Sequence, residues 1–358
     1  MASSAIPDRA PNPKPLGPKV RLRGLHLGSL PLGSLDVGPN HEGQPGRSDD
    51  GSQYREALRE FITEVLRESI PFVDGVQPKL ASTSTWKDSG SKRCASSEGN
   101  IGLYKRVVSK QELDRVDRLG GTEAKEKSET WYARRSRHRD LSFPGTATWG
   151  EFTRHFKEEH FRTEELWCKS VVSARRIKYW ETTDLNVEIG GDLWNNISMD
   201  IVEMKHRIKP KPLMKDRKFP VILIAASLND EREFIVISIP LNGFTSAEYK
   251  ADEKSVGAAY ASIERLRVLP SGEIEWIMAT VSDAKGSIPQ WIQKLAVPSV
   301  ISKDVNMYMT WIAKERSGIP NEEQSPQNKI SPHPSSQVVG RQSKLRQRWG
   351  KFKEMFAS

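Results

Sequence analysis

The chain has 358 residues and a mass of 40.4 kDa, enough for one large domain or two small ones with a substantial core. Only 36% of the residues are apolar and mean hydropathy is −0.59, so part of the chain stands outside any globular core. The formal net charge is +9, but the last 18 residues, 341–358, hold six basic groups and one acid, leaving 49 basic and 45 acidic groups for the other 340.

Several classes fall away on these grounds. The longest nearly apolar runs, 219–228 and 234–241, are about half of the ~20 residues that a membrane-spanning helix needs. The first residues alternate Pro, Gly and charge without a continuous apolar stretch, so no secretory leader is expected. Two cysteines, Cys94 and Cys168, exclude a disulfide-dense scaffold and a four-thiolate zinc site. A cytoplasmic location is the expectation. Acids and bases interleave through the body, without the basic stripe of a nucleic-acid binder, so no nucleic-acid partner is expected.

Residues 1–51 read as a disordered tail, because the first 50 contain eight prolines and seven glycines and offer little side chain to bury. A folded domain is expected over 52–316. It opens with a helix on which Tyr54, Leu58, Phe61, Ile62 and Val65 share a face and which Pro71 stops. Short strands are expected at 79–86, 102–108 and 130–136. A second helix starts at Thr148, where Thr148 and Glu151 form a capping box ahead of Trp149, Phe152 and Phe156. Strands then follow at 171–180, 197–208, 219–228, 233–241, 258–269 and 273–282, rich in β-branched and aromatic residues, with Pro270-Ser271-Gly272 as a hairpin turn. A long helix, 289–316, closes the domain; Pro298 should kink or break it, and Gly318 with Pro320 ends it. Residues 317–340, rich in Pro, Ser, Asn and Gln, read as a disordered linker to a basic tail helix over 341–358.

The order is helix, strands, helix, many strands, long helix, and specific motifs sit along it. Lys285-Gly286-Ser287-Ile288-Pro289-Gln290-Trp291-Ile292, followed by Ala296-Val297-Pro298, resembles the closing turn and final helix of START lipid-transfer domains. Pro212-Leu213-Met214-Lys215-Asp216-Arg217-Lys218-Phe219 resembles the START loop that precedes a central strand. Trp131-Tyr132-Ala133-Arg134-Arg135-Ser136 and Glu275-Trp276-Ile277-Met278-Ala279-Thr280 are similar to a fungal branch of that superfamily known only as a domain of unknown function. The resemblance spans about 54–316. It implies an α+β, START-like helix-grip fold, in which an antiparallel sheet wraps a long C-terminal helix around a lipid-sized pocket.

No catalytic constellation is present, and no enzyme activity or cofactor is expected. His155 and His160 flank two glutamates, but five residues of α-helix set them about 140° apart, so a solvated helix face is the reading and no metal site is expected. Cys168 follows Trp167 without a nearby base and reads as a core thiol.

Ten tryptophans are more informative. Trp180, Trp194, Tyr260, Trp276 and Met278 fall in or beside strands, and Trp291, Val305 and Met309 fall on the closing helix; together they are the candidate lining of a ligand cavity. Period-2 alternation puts Glu264 on the face of Tyr260, with Arg265 and Arg267 opposite, so Glu264 and Arg217 are the candidate headgroup contacts. In the tail, Leu345, Trp349, Phe352 and Phe356 are spaced by four, three and four, amid Lys344, Arg346, Arg348, Lys351 and Lys353. Lys344, Leu345, Arg348, Trp349, Phe352 and Phe356 are therefore the candidate contacts to an anionic membrane surface. The expected function is binding, and possible transfer, of a lipid or other hydrophobic molecule by a monomer. The alternatives are a helix-grip enzyme of cyclase or hydrolase type and a ligand-free interaction module.

Overall fold

In a computed structural model, placement is described for residues 17–31, 50–76, 85–120, 128–208, 214–244, 255–286 and 290–318, without the side chains of residues 50, 116–120 and 290–295. The elements in chain order are β1 (Leu25–His26), α1 (Asp50–Asp74), β2 (Lys87–Lys92), β3 (Ile101–Val108), α2 (Lys110–Gly120), β4 (Glu129–Arg139), α3 (Trp149–Thr153), a π-turn (Arg154–Glu158), α4 (His160–Trp167), β5 (Val171–Tyr179), β6 (Val187–Ile189), β7 (Asp192–His206), β8 (Asp216–Leu228), β9 (Glu233–Asn242), β10 (Ser255–Gly257), β11 (Ala259–Val268), β12 (Glu273–Asp283) and α5 (Gln290–Arg316). Residues 1–313 form one compact unit, within which all contacts below lie; of the second, 314–358, the described residues 314–318 are the last turn of α5 and its Gly318 stop at φ 66.

Nine strands pair antiparallel in the order β2-β3-β4-β12-β11-β9-β8-β7-β5. This is the expected helix-grip plan of a large antiparallel sheet with a long C-terminal helix. The central strands read as nearly continuous apolar runs because both faces are covered. Ile222, Ile224, Ile235, Ile237, Ile263, Ile277 and Ala279 point to the face covered by α1 and residues 17–31. Their neighbours Val221, Leu223, Phe234, Val236, Leu266 and Trp276 point to the face covered by α3, α4 and α5.

Three expectations are corrected. Residues 17–31, assigned by composition to the tail, are docked on the sheet. β1 pairs in parallel with the end of β9, Glu68 accepts the Lys19 and Val20 amides at 3.0 Å, and Trp180 Nε1 donates to the Pro31 carbonyl at 2.9 Å. Second, α1 runs through Pro71 instead of stopping there. Phe72 packs against Trp86 and Trp131, Val73 and Val76 are buried in the same core, and that burial outweighs the missing amide. Third, α5 is not broken at Pro298: it runs from Gln290 to Arg316 as one helix. The expected strand at 79–86 lies mostly outside the described residues; the strand found here is β2.

Candidate functional site

The site lies on the α5 face of the sheet and is built by strand register. One row across the sheet reads Val236, Glu264, Met278, Arg134, Leu103; the row beside it reads Ser238, Ser262, Thr280, Tyr132. An otherwise apolar face thus carries a polar zone at its middle. Arg134 and Glu264 reach across Met278 to pair at 3.2 Å. The Trp276 indole donates to the same Glu264 oxygen at 2.6 Å, and the Arg134 guanidinium stacks over the Trp276 ring at 3.8 Å.

The opposite wall comes from α4 and α5. His160 Nε2 lies 3.6 Å from Glu264 and its Nδ1 lies 3.9 Å from Glu164. The π-turn brings His160 there. The Glu159 amide donates to the Arg154 carbonyl five residues back, at 2.8 Å, and the wider turn brings residues five apart onto one face. The expectation of a solvated helix face, which rested on pure α geometry, is corrected: His155 is buried against Tyr308 (3.1 Å) and His160 faces the sheet. Asp304 comes from α5, a turn before Tyr308, and interacts with Arg134, Glu164 and Glu264.

The electrostatics follow from burial. Burial pushes the Asp304 carboxyl up to about 8; Arg134 opposes this, while Glu164 and Glu264 add to it. Burial also raises Glu164, against the pull of His160. Glu264 ends below its ordinary value because His160, Arg134 and the Trp276 N–H outweigh its burial. Burial would lower His160, but both glutamates overcome it and raise it. Burial, reinforced by Glu164 and Asp304, pushes the Cys168 thiol up to about 12, which agrees with a core thiol and not a nucleophile.

His160, Glu164, Tyr260 and Asp304 each keep some accessible surface, and so does Met278 between the buried Glu264 and Arg134. No group of three or more His, Cys, Asp or Glu with metal-holding geometry occurs among the described residues.

The sequence profile of DUF3074, described as a protein of unknown function, matches residues 131–312. The chain belongs to this family. The matched span contains Arg134, His160, Glu164, Glu264 and Asp304, so the whole polar zone lies within the DUF3074 region. Comparison with curated proteins gives no match. Among solved structures, the chain is similar to human STARD10, at 12% identity and a TM-score of 0.45 over 69% of this chain and 80% of that one. It is also similar to human StAR-related lipid transfer protein 5, at 10% identity and a TM-score of 0.45 over 74% and 98%. The lipid transfer and protein localization domain of human StarD13 matches at 15% identity and a TM-score of 0.40 over 63% and 88%.

Among the residues singled out by sequence, Tyr260, Glu264, Trp276, Met278, Val305 and Met309 are brought together on the α5 face. Trp180 and Trp194 are not; they are buried in the core on the α1 face, because β7 and its neighbours turn them to that side. Arg217 is also not a headgroup contact. Its Nε donates to the Ala284 carbonyl at 2.6 Å and its Nη2 to the Lys285 carbonyl at 3.4 Å, so it clamps the end of β12. The Trp291 side chain and the tail residues Lys344, Leu345, Arg348, Trp349, Phe352 and Phe356 lie outside the described residues. Sequence reasoning missed Arg134, His160, Glu164 and Asp304. Two of them left a signal. Arg134 alternates with Trp131 and Ala133 of the other face, and Asp304 sits three residues after Ile301 and four before Tyr308, on the apolar stripe of α5.

Proposed function

We propose that this DUF3074 chain binds a lipid or other hydrophobic molecule bearing a polar end, enclosed between the sheet and α5, and does not transform it. The observation that carries this reading is the polar zone on an otherwise apolar sheet face, where His160, Glu164, Tyr260, Met278 and Asp304 keep accessible surface beside the buried Arg134, Glu264 and Trp276. Their neighbours Phe219, Leu223, Trp276 and Met309 supply apolar wall, and the cluster supplies a few convergent polar groups; that mixture suits an amphipathic ligand. The START-like closing motif points the same way. Native mass spectrometry of the protein purified from cells, with extraction of what it carries, tests the reading. A co-purifying amphiphile is expected, and Met278→Trp, which fills the space beside Glu264, should lose it while staying folded. A protein that carries nothing and binds no fluorescent acyl probe overturns the proposal.

Transfer between membranes, a cytoplasmic location, a monomeric state and membrane contact through the basic tail belong to the same proposal and rest on the sequence. A second reading, an enzyme, is favoured by one observation: neighbouring carboxyls, Glu264 and Asp304, are pushed apart in proton affinity as in acid–base sites. Recovery of the bound molecule unchanged after prolonged incubation separates binding from turnover.

A further inference from the structure

We propose that the polar end of the ligand is an uncharged oxygen acceptor, a carbonyl or a hydroxyl, that meets the idle Nε and Nη1 of Arg134 beside Met278. This rests on the ligand-binding reading above and names the ligand class: neutral amphiphiles, in preference to amines and carboxylates of equal chain length.

The surroundings of one side chain carry it. Arg134 is only 1% exposed, and among the described residues its Nε and Nη1 have no hydrogen-bond acceptor. These two nitrogens hold most of the N–H groups of the guanidinium, and buried charged donors without an acceptor are costly. The acceptors that the protein places nearby are committed elsewhere. Glu264 Oε1 takes Arg134 Nη2 at 3.2 Å and the Trp276 indole at 2.6 Å, and its Oε2 lies 3.6 Å from His160 Nε2. Ser136, two residues along β4 on the same face, is engaged with His138 Nε2 at 2.9 Å. The Trp276 ring covers a flat face of the guanidinium at 3.8 Å, which leaves its edge, where the N–H groups point. Met278 stands between Arg134 and Glu264 in the strand register and keeps accessible surface, so the row is not packed shut beside them.

Charge selects among oxygen ligands. The positive charge of Arg134 is already matched by Glu264, so the place lacks an acceptor and not an anion. A second carboxylate, Glu164, stands 3.9 Å from His160 Nδ1. A ligand carboxylate would enter beside two glutamates whose basic partners are in place. A ligand ammonium offers only donors, leaves Nε and Nη1 idle and adds a positive charge beside Arg134. A carbonyl or hydroxyl oxygen supplies the lone pairs without either penalty.

The test uses the full chain, Nile red as a displaceable dye, and three competitors of one chain length, 2-decanone, decylamine and decanoate, each below its micelle-forming range. 2-Decanone is expected to displace the dye at about tenfold lower concentration than either ionised probe. The infrared C=O stretch of bound, carbonyl-labelled 2-decanone should fall below its value in hexane, because the oxygen accepts from a guanidinium. The double variant Arg134→Met with Glu264→Met removes the donors and strands no charge; in it the preference and the shift should vanish while the dye still binds. If that variant does not fold, Arg134→Lys, which keeps the charge and drops the planar fork, should weaken both. An ionised probe that binds as tightly as the ketone, an unshifted carbonyl stretch, or a preference that survives in the double variant overturns this inference and leaves the ligand-binding reading intact. Failure of the dye and of all three competitors to bind overturns both.

Discussion

Arg134 has been taken out of water almost completely, and Glu264 is the carboxylate that makes this tolerable. Glu264→Gln leaves the guanidinium without a charge partner and is expected to cost about 3–5 kcal/mol, read by chemical denaturation. Replacing both residues by Met should cost far less than the two single changes together, because no charge is then stranded. Additive losses would contradict the pairing. The pH dependence has two opposite parts. Glu264 is depressed in the folded state, so its contribution is present above its unfolded value and is lost as pH falls through the folded one. Asp304 is raised from 3.8 to about 8, so the native state holds a proton that the unfolded chain releases, and ionising Asp304 costs stability as pH rises through that window. In ligand-stripped protein, Asp304→Asn removes that cost. Its melting temperature at about pH 8 should rise by about 2–4 °C for each kcal/mol recovered, and the gain should vanish below about pH 4. Identical melting of both proteins at the higher pH would refute it.

At the scale of elements, the segment 17–31 acts as a strap over the α1 face. Gly24 lets it lie close: its φ is 72°, and a Cβ there would overlap the Pro240 carbonyl. Gly24→Ala is therefore expected to destabilise by about 1–3 kcal/mol. A chain beginning at Ser52 should lose stability too, and Gly24→Ala has nothing to act on there. Equal denaturation midpoints of the full chain and the shortened one would show that the strap contributes nothing. Pro298 allows a similar test. Its missing amide leaves one carbonyl of α5 without its helical partner. Hydrogen exchange across 295–302 is expected to be faster than across 303–312 and to quicken with liposomes; protection equal along the helix would rule out a hinge. These same elements show what could be read beforehand. The strand train and its hairpin were legible because β-branched periodicity and Pro270-Ser271-Gly272 are local signals. The strap was not, because its hydrogen bonds go to Glu68 and Glu129, 49 and 107 residues away, which no composition window contains. Half of the site was legible through the alternation that sets Tyr260, Glu264, Trp276 and Met278 on one face. His160 was hidden by a π-turn that a constant helical period does not represent. Trp180 and Trp194 were misplaced because aromatic size marks a core without telling which face of the sheet owns it.

At the scale of the whole molecule, the charge is divided between a nearly neutral body and a basic end. Residues 341–358 carry a net +5, and the described part of the chain has no helix long and apolar enough to cross a membrane. The tail residues lie outside the described structure, so their role is argued from sequence. Leu345, Trp349, Phe352 and Phe356 recur at helical spacing, and five basic residues surround them. Such a segment gains from burying its aromatic side at a lipid interface, with ~1 kcal/mol of attraction per basic residue near an anionic surface. Gly350 lowers the helicity of the free segment, so ordering and binding should occur together. The full chain is expected to co-sediment with liposomes containing anionic lipid, and a chain ending at Gly340 is expected to stay in the supernatant. Raising the salt concentration should weaken binding, because surface attraction falls within a Debye length of about 8 Å at physiological ionic strength. Trp349→Ala should weaken it at every salt concentration, since the buried aromatic area does not depend on screening. Binding that survives loss of 341–358, or that ignores both lipid charge and salt, would place the membrane contact elsewhere on the molecule or remove it.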